Sequence, residues 1–309
     1  MTPDELSEMT KRYSFYHVID LGNGIFTPGI RELMSLQAPV IAEIRRAELQ
    51  DKRVLDIGCR DGLFSFEAER RGGRVLGIDS HLSLAATEFL IPFLKSSVEM
   101  QSLNVYDLQT EEKFDYVIFA GVLYHLRLPF AALKRIADAM RPGGVLLVET
   151  ALLLSHHRHP FVYIPAPKDS PYEPSSVTFF NHLGLVSTLE SMGFENIECR
   201  SVISPSAGHP RYGSWQAFLE SPDAVLADAN EIVVGRGTYL CSRSPAGASE
   251  GQTMLDGHWY GANPLFQGRE FSDRLRKQFG FPRFREAISR AFRSAEESGS
   301  PDRPEQKPL

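Results

Sequence analysis

Arg53-Val54-Leu55-Asp56-Ile57-Gly58-Cys59-Arg60-Asp61-Gly62 is the stretch that decides the fold. It reads as a buried strand carrying an acid near its end, then a glycine turn that opens onto a helix. In that arrangement free backbone N–H groups and the helix dipole face whatever lies beyond the strand, which suits a nucleotide-like ligand. Gly58 and Gly62 permit the close approach and the dihedrals that a β-carbon would hinder. A glycine turn is also an ordinary αβ connection, so the reading depends on the next strand of the chain.

One helix-length later comes a second apolar run, Arg74-Val75-Leu76-Gly77-Ile78-Asp79. An acid at the tip of the second strand, about twenty residues past the turn, is placed to accept both hydroxyls of a ribose. A dinucleotide and S-adenosylmethionine both carry such a ribose. The dinucleotide fingerprint needs G-x-G-x-x-G, and Gly58-Cys59-Arg60-Asp61-Gly62-Leu63 lacks it. The nicotinamide reading falls behind.

Outward from this core, strand and helix patterns alternate from residue 53 to about 149, which implies βαβ units and a parallel sheet. Strands are expected at 53–57, 74–78, 98–105, 114–120 and 145–150, with helices at 63–71, 82–95 and 130–140. Phe114-Asp115-Tyr116-Val117-Ile118-Phe119-Ala120 is apolar on both faces, as a central parallel strand should be. Phe130, Leu133, Ile136, Ala137 and Met140 make a helical stripe that Arg141-Pro142-Gly143-Gly144 stops. Residues 155–180, rich in Pro, His and Tyr, form a loop too long for a bare connector, of the kind that shapes a substrate site. A helix at 182–193 and strands at 196–203 and 237–242 come next. The expected fold is α/β, a Rossmann-like and mostly parallel sheet of seven strands with an N-terminal cap and a C-terminal helical extension. The expected organisation is a cap or lid at 1–50, a cofactor-binding catalytic domain at 51–243, and a linker, basic amphipathic helix and disordered tail at 244–309.

Composition narrows the partners. The chain has 309 residues, 42% hydrophobic and 23% charged, and its 33 basic and 39 acidic residues leave a net charge of −6. That balance gives no general pull toward phosphate polymers, although a local basic patch can supply one. The three cysteines lack metal spacing and fit buried thiols in a reducing cytoplasm. Neither a signal peptide nor a run of membrane-spanning length is evident, so a cytoplasmic protein without a membrane partner is expected. Oligomeric state is not readable.

The order Asp56–Gly62, Gly77-Ile78-Asp79, 114–121 and Arg141-Pro142-Gly143-Gly144 resembles a class I S-adenosylmethionine-dependent methyltransferase. Two further blocks, Tyr16-His17-Val18-Ile19-Asp20-Leu21-Gly22-Asn23-Gly24 with Thr27-Pro28-Gly29, and Gly121-Val122-Leu123-Tyr124-His125, are similar to a narrower set. That set is the tRNA wobble-uridine carboxymethyltransferase family and its relatives. Arg60 stands where most class I enzymes carry glycine. The resemblance implies S-adenosylmethionine as cofactor, with Gly58, Cys59 and Gly62 near its methionyl part and Asp56 on its amino group. It also implies Asp79 and Ser80 at the ribose, Val105 and Asp107 at the adenine, and Ala120 and Tyr124 along the methionyl side. The wobble-uridine enzyme holds a carboxylated cofactor through a lysine, a tyrosine and a late arginine. Tyr124 and Arg236 match the latter two, but the first fifty residues offer only Lys11. Losing one cation weakens carboxylate recognition, so ordinary methyl transfer is preferred.

Methyl transfer needs acceptor and methyl held in line with water excluded, and an oxygen acceptor must also lose a proton. His125, just after the fourth strand, is the first candidate base, since imidazole titrates near neutrality. His17, in an aromatic block that either folds over the crevice or packs on the sheet, is the second. His156-His157-Arg158-His159 suggests a polar substrate-contacting loop rather than a metal site, because adjacent histidines in extended chain point apart. Tyr163 is a further substrate contact, with Lys168 and Tyr172, and Arg236 completes the substrate set. The arginine-rich C-terminal stretch, with Phe284, Ile288, Ala291 and Phe292 as a stripe, either docks RNA phosphates or an acidic partner or lies on the core, and Trp259 and Tyr260 anchor it. The expected reaction is O-methylation of a small-molecule or glycan-like hydroxyl. A tRNA-modifying enzyme is the first alternative, and a non-catalytic S-adenosylmethionine-binding regulator is the second.

Overall fold

The computed structural model describes residues 8, 11–155, 157–166, 168–205, 209–222, 224 and 232–245. All of them belong to one compact unit, Met1–Leu255. His156, the C-terminal arginines and stripe, Trp259 and Tyr260 lie outside the described residues.

The chain begins with a two-stranded ribbon, β1 (Asp20–Gly22) and β2 (Ile25–Phe26), followed by helix α1 (Met34–Arg46). The main sheet then assembles from β3 (Arg53–Ile57), β4 (Arg74–Asp79), β5 (Glu99–Ser102), β6 (Phe114–Ala120) and β7 (Met140–Leu153). These five run parallel, with β3 between β4 and β6. Helices α2 (Leu63–Arg70), α3 (a π-helical Ala85–Leu90 continuing as Ile91–Leu94) and α4 (Pro129–Ala139) connect them. The later elements are β8 (Val162–Tyr163), β9 (Phe179–Asn181), helix α5 (His182–Ser191), β10 (Phe194–Ile203), β11 (Arg211–Tyr212), helix α6 (Trp215–Leu219) and β12 (Val234–Arg243). The order is β11-β10-β12-β7-β6-β3-β4-β5, and β12 inserts antiparallel between β10 and β7.

Among the described residues the sheet therefore has ten strands and not seven. The seven expected strands are all present. β8, β9 and β11 are additions of two or three residues, too short to carry a readable alternation. The Arg141-Pro142-Gly143-Gly144 turn also survives, but as a bulge within β7. Pairing jumps from Met140–Phe114 to Val145–Tyr116, so the turn loops out without ending the ladder.

Alternation along β6 explains why both its faces are apolar. Val117 and Phe119 enter one core with Leu133 and Ile136 of α4. Tyr116, Ile118 and Ala120 enter the other with Val40 and Ile44 of α1 and Phe64 of α2. Each fully buried side chain of this size contributes about 1.5–3 kcal/mol. Phe15 and Ile19 of the N-terminal segment belong to that second core. The segment is thus seated on the sheet, and it brings Tyr16 and His17 to the carboxyl ends of the strands. Among the described residues no helix is long and apolar enough to cross a membrane.

Candidate active site at the strand tips

Parallel strands end together, and the tips of β3, β4, β6 and β7 with the N-terminal segment enclose a cavity of about 470 Å³. This is the crevice where an open α/β sheet takes its ligand. His17, Gly58, Asp79, Ser80, Val105, Ala120, Tyr124, His125 and Arg236 all line it.

The glycine turn makes room, and the amides of Gly58, Cys59, Arg60 and Gly62 are already bonded. Gly58 has φ +75°, and a β-carbon there would fall 2.4 Å from Val122 Cγ2. The Gly58 and Cys59 amides both donate to the Ile78 carbonyl, at 2.7 and 3.2 Å. The Gly62 amide donates to the Cys59 carbonyl at 2.8 Å, and the Arg60 amide to Asp79 Oδ2 at 3.1 Å. The expectation of unpaired loop amides facing the ligand is corrected by this geometry, because neighbouring backbone and side chains already take them. What the loop does is hold Asp79. Its second oxygen accepts the His81 amide at 3.0 Å, and each oxygen keeps a lone pair for a hydroxyl.

Four expected cofactor residues do not line the cavity. Asp56 is buried beneath it and accepts the Ser65 hydroxyl at 2.6 Å. Burial pushes its carboxyl up to about 6, against the pull of that hydroxyl. Cys59 packs under Gly77, and burial pushes its thiol up. Gly62 faces Phe66 and Met100. Asp107 is exposed at the end of a short 3₁₀ turn, and its neighbours Asn104, Val105 and Tyr106 line the cavity instead.

At the other end of the cavity Arg236 of β12 is 8% exposed. Its Nε and Nη2 donate to the two oxygens of Glu149 on β7, at 2.5 and 2.6 Å. Its Nη1 donates to the hydroxyls of Tyr124 and Tyr172, at 3.0 and 3.1 Å. Burial works against the guanidinium charge, but Glu149 more than offsets it and the arginine is held protonated. Burial also raises the Tyr124 phenol, against the pull of Arg236, so it stays a donor. Beside them His125 Nδ1 lies 3.2 Å from the Ser175 carbonyl. A carbonyl can only accept, so the neutral ring carries its proton on Nδ1 and leaves the Nε2 lone pair free. Glu173 stands 3.8 Å from Nε2.

His17 has a different partner. Asp61 is 1% exposed; it meets His17 Nδ1 and accepts the Tyr16 and His17 amides at 2.7 and 3.0 Å. Burial acts to raise the Asp61 carboxyl, yet the His17 ring and these amides outweigh it and hold it below the usual carboxylate range. The histidine lines the cavity as part of a clasp between the N-terminal segment and the glycine turn. Of the loop residues, His157 is exposed and meets Phe161 edge-on, while Tyr163 packs near Phe179. Neither lines the cavity. Among the described residues no three His, Cys, Asp or Glu are grouped to hold a metal ion.

Asp61, Glu149 and Glu173 are the site residues that sequence reasoning missed. Glu149 had a signal, a charge inside the apolar run Val145–Thr150; the other two had none.

Residues 31–199 match the methyltransferase-domain family. The tRNA U34 carboxymethyltransferase of Aliarcobacter butzleri is 32% identical over 192 residues, 60% of this chain and 62% of that one. The protein of the same name from Helicobacter pylori strain Shi470 is 32% identical over 57% of this chain and 70% of that one. The chain thus spans about 62% of the first of these relatives. Among solved structures, the N-terminal domain of EvdMO1 with S-adenosylhomocysteine bound aligns with a TM-score of 0.54 at 20% identity, over 79% of this chain and 98% of that one. The glycine cradle, Asp79 at the second strand tip and the strand order fit S-adenosylmethionine. The chain belongs to the methyltransferase-domain family.

Proposed function

We propose that the enzyme methylates an oxygen of the wobble uridine in tRNA. The observation that carries this reading is a convergence. Tyr16–His17 and Tyr124–His125, the two blocks that resemble the wobble-uridine family, line one cavity together with Arg236. The relatives named for tRNA U34 add support. Bound S-adenosylmethionine supplies a methyl activated by its sulfonium. Asp79 and Ser80 hold its ribose, and Gly58 and Ala120 leave room for its methionyl part. His125 Nε2 takes the proton of the acceptor hydroxyl. Tyr124, accepting from Arg236, keeps its own proton to donate to a substrate oxygen.

Plain methyl transfer is favoured over carboxymethyl transfer. Both oxygens of Glu149 already occupy Arg236, so its charge is matched before any carboxylate arrives. A small hydroxyl acceptor is the second reading. Glu173 and Ser175 of the long loop wall one side of the cavity, and the net charge of −6 gives no general attraction to RNA. Incubation with methyl-labelled cofactor and either bulk tRNA or a metabolite extract separates the two. Label recovered in a wobble-position nucleoside supports the first reading, and label confined to a metabolite replaces it with the second.

A further inference from the structure

Arg60 occupies a backbone conformation that suits a glycine better. Its φ is +55°, a left-handed value that crowds the β-carbon of any residue but glycine. The amide is well used, since it helps hold Asp79, but any residue other than proline offers an amide. The side chain is what distinguishes this position. The guanidinium lies over the Tyr16 ring, 5.0 Å from its centroid, and both residues line the cavity.

Among the described residues no carboxylate pairs with Arg60 and no hydrogen bond uses its side-chain N–H groups. The contrast with Arg236 is direct, because that guanidinium is buried and matched by Glu149. Arg60 is exposed and lines the cavity. Tyr16 is itself fixed, its amide held by Asp61 at 2.7 Å. An uncompensated cation is therefore steadied on an aromatic ring with its planar fork of donors unspent, the arrangement that binds phosphate through two parallel bonds. A strained residue persists where its side chain has a task.

We infer that Arg60 is the anion-recognising residue of the acceptor site and takes a phosphate group of the acceptor. The inference rests on the reading of a phosphate-bearing nucleic-acid acceptor. Exposure of the Arg60 side chain argues for an acceptor group that arrives from solvent.

The test titrates inorganic pyrophosphate into the full chain saturated with S-adenosylhomocysteine. Pyrophosphate should bind at least tenfold more weakly to Arg60→Gly than to the starting protein, with Arg60→Lys between them. Affinity for S-adenosylhomocysteine should change less than twofold, and Arg60→Gly should melt no lower, since it relieves the left-handed strain. With bulk tRNA, the slope of log KM against log salt should fall by about one, as for a lost phosphate contact. The assignment is overturned if the starting protein ignores pyrophosphate, or if Arg60→Gly binds it equally well. It is also overturned if S-adenosylhomocysteine affinity falls as far as pyrophosphate affinity, which would place Arg60 in the cofactor site. If tRNA takes no label while pyrophosphate binding still depends on Arg60, the tRNA reading fails and the anion site stands.

Discussion

At the glycine-turn end of the cavity the bonds join residues close in sequence, whereas at the Arg236 end they tie together distant segments. Ser65 reaches Asp56 across 9 positions and the Arg60 amide reaches Asp79 across 19. Arg236 reaches Glu149 across 87 positions and Tyr124 across 112. The first end is mostly backbone, held by one loop between two adjacent strands. The second is a buried ion pair with two phenols and a histidine beside it. Its parts depend on each other, so it should fail abruptly when one is removed, while the glycine turn should weaken by degrees.

The strongest test of that difference is Glu149→Ala. It strands the Arg236 guanidinium in a buried site, and breaking a buried pair from one side costs about 3–5 kcal/mol. Chemical denaturation should show a loss of that size, and a loss below about 1 kcal/mol would show that the cluster is not cooperative. Next, His125→Ala should lower turnover by about a hundredfold while S-adenosylhomocysteine affinity, read by calorimetry, holds. Unchanged turnover removes the base assignment.

Asp56 gives the glycine-turn end a pH signature. Its folded carboxyl sits at about 6 against an ordinary 3.8, so between those values the folded state holds more protons than the unfolded one. Stability from this group is therefore present below about pH 4 and is lost as pH rises through 6, by about 2–3 kcal/mol. Asp56→Asn should flatten that difference when denaturation is compared at pH 4 and pH 7, and an unaltered slope would show the carboxyl is not strained by burial. Asp79→Ala should weaken S-adenosylhomocysteine binding by about tenfold, the value of one charge-assisted hydrogen bond, with melting temperature little changed; equal affinity would displace the ribose assignment. The smallest effect is expected from Tyr172→Phe, which removes one acceptor from Arg236 and should cost about 1 kcal/mol. A double variant with Tyr124→Phe then measures whether the two phenols act independently.

Legibility in the sequence divides along the same line. The seven main strands, the helix between the first two, and Asp79 at its strand tip were readable, because each depends on a periodicity or spacing within about twenty residues. The same reading placed Asp56 and Asp107 on the cofactor. Asp56 points into the layer beneath, to Ser65, and Asp107 turns outward, and no pattern along the chain distinguishes those orientations. His17 was visible as a histidine in an aromatic block, but its tie to Asp61 was not. The long loop was recognised as a contributor to the site, yet its residues nearest the cavity are Glu173 and Ser175, not His157 or Tyr163.

The order of residues is enough to specify a parallel sheet with its ligand crevice at the strand tips. Strand period, glycine placement and an acid at a set interval are local properties, and local sterics convert them directly into backbone geometry. It took the folded arrangement to settle that Arg236 is neutralised by Glu149, that His125 faces Glu173, and that Arg60 has a ring and, among the described residues, no counter-ion. Those pairings arise when antiparallel β12 docks beside β7 and the N-terminal segment settles over the glycine turn. Whether a charge is matched or spare depends on what packing brings within a few ångströms of it, and distance along the chain does not encode that.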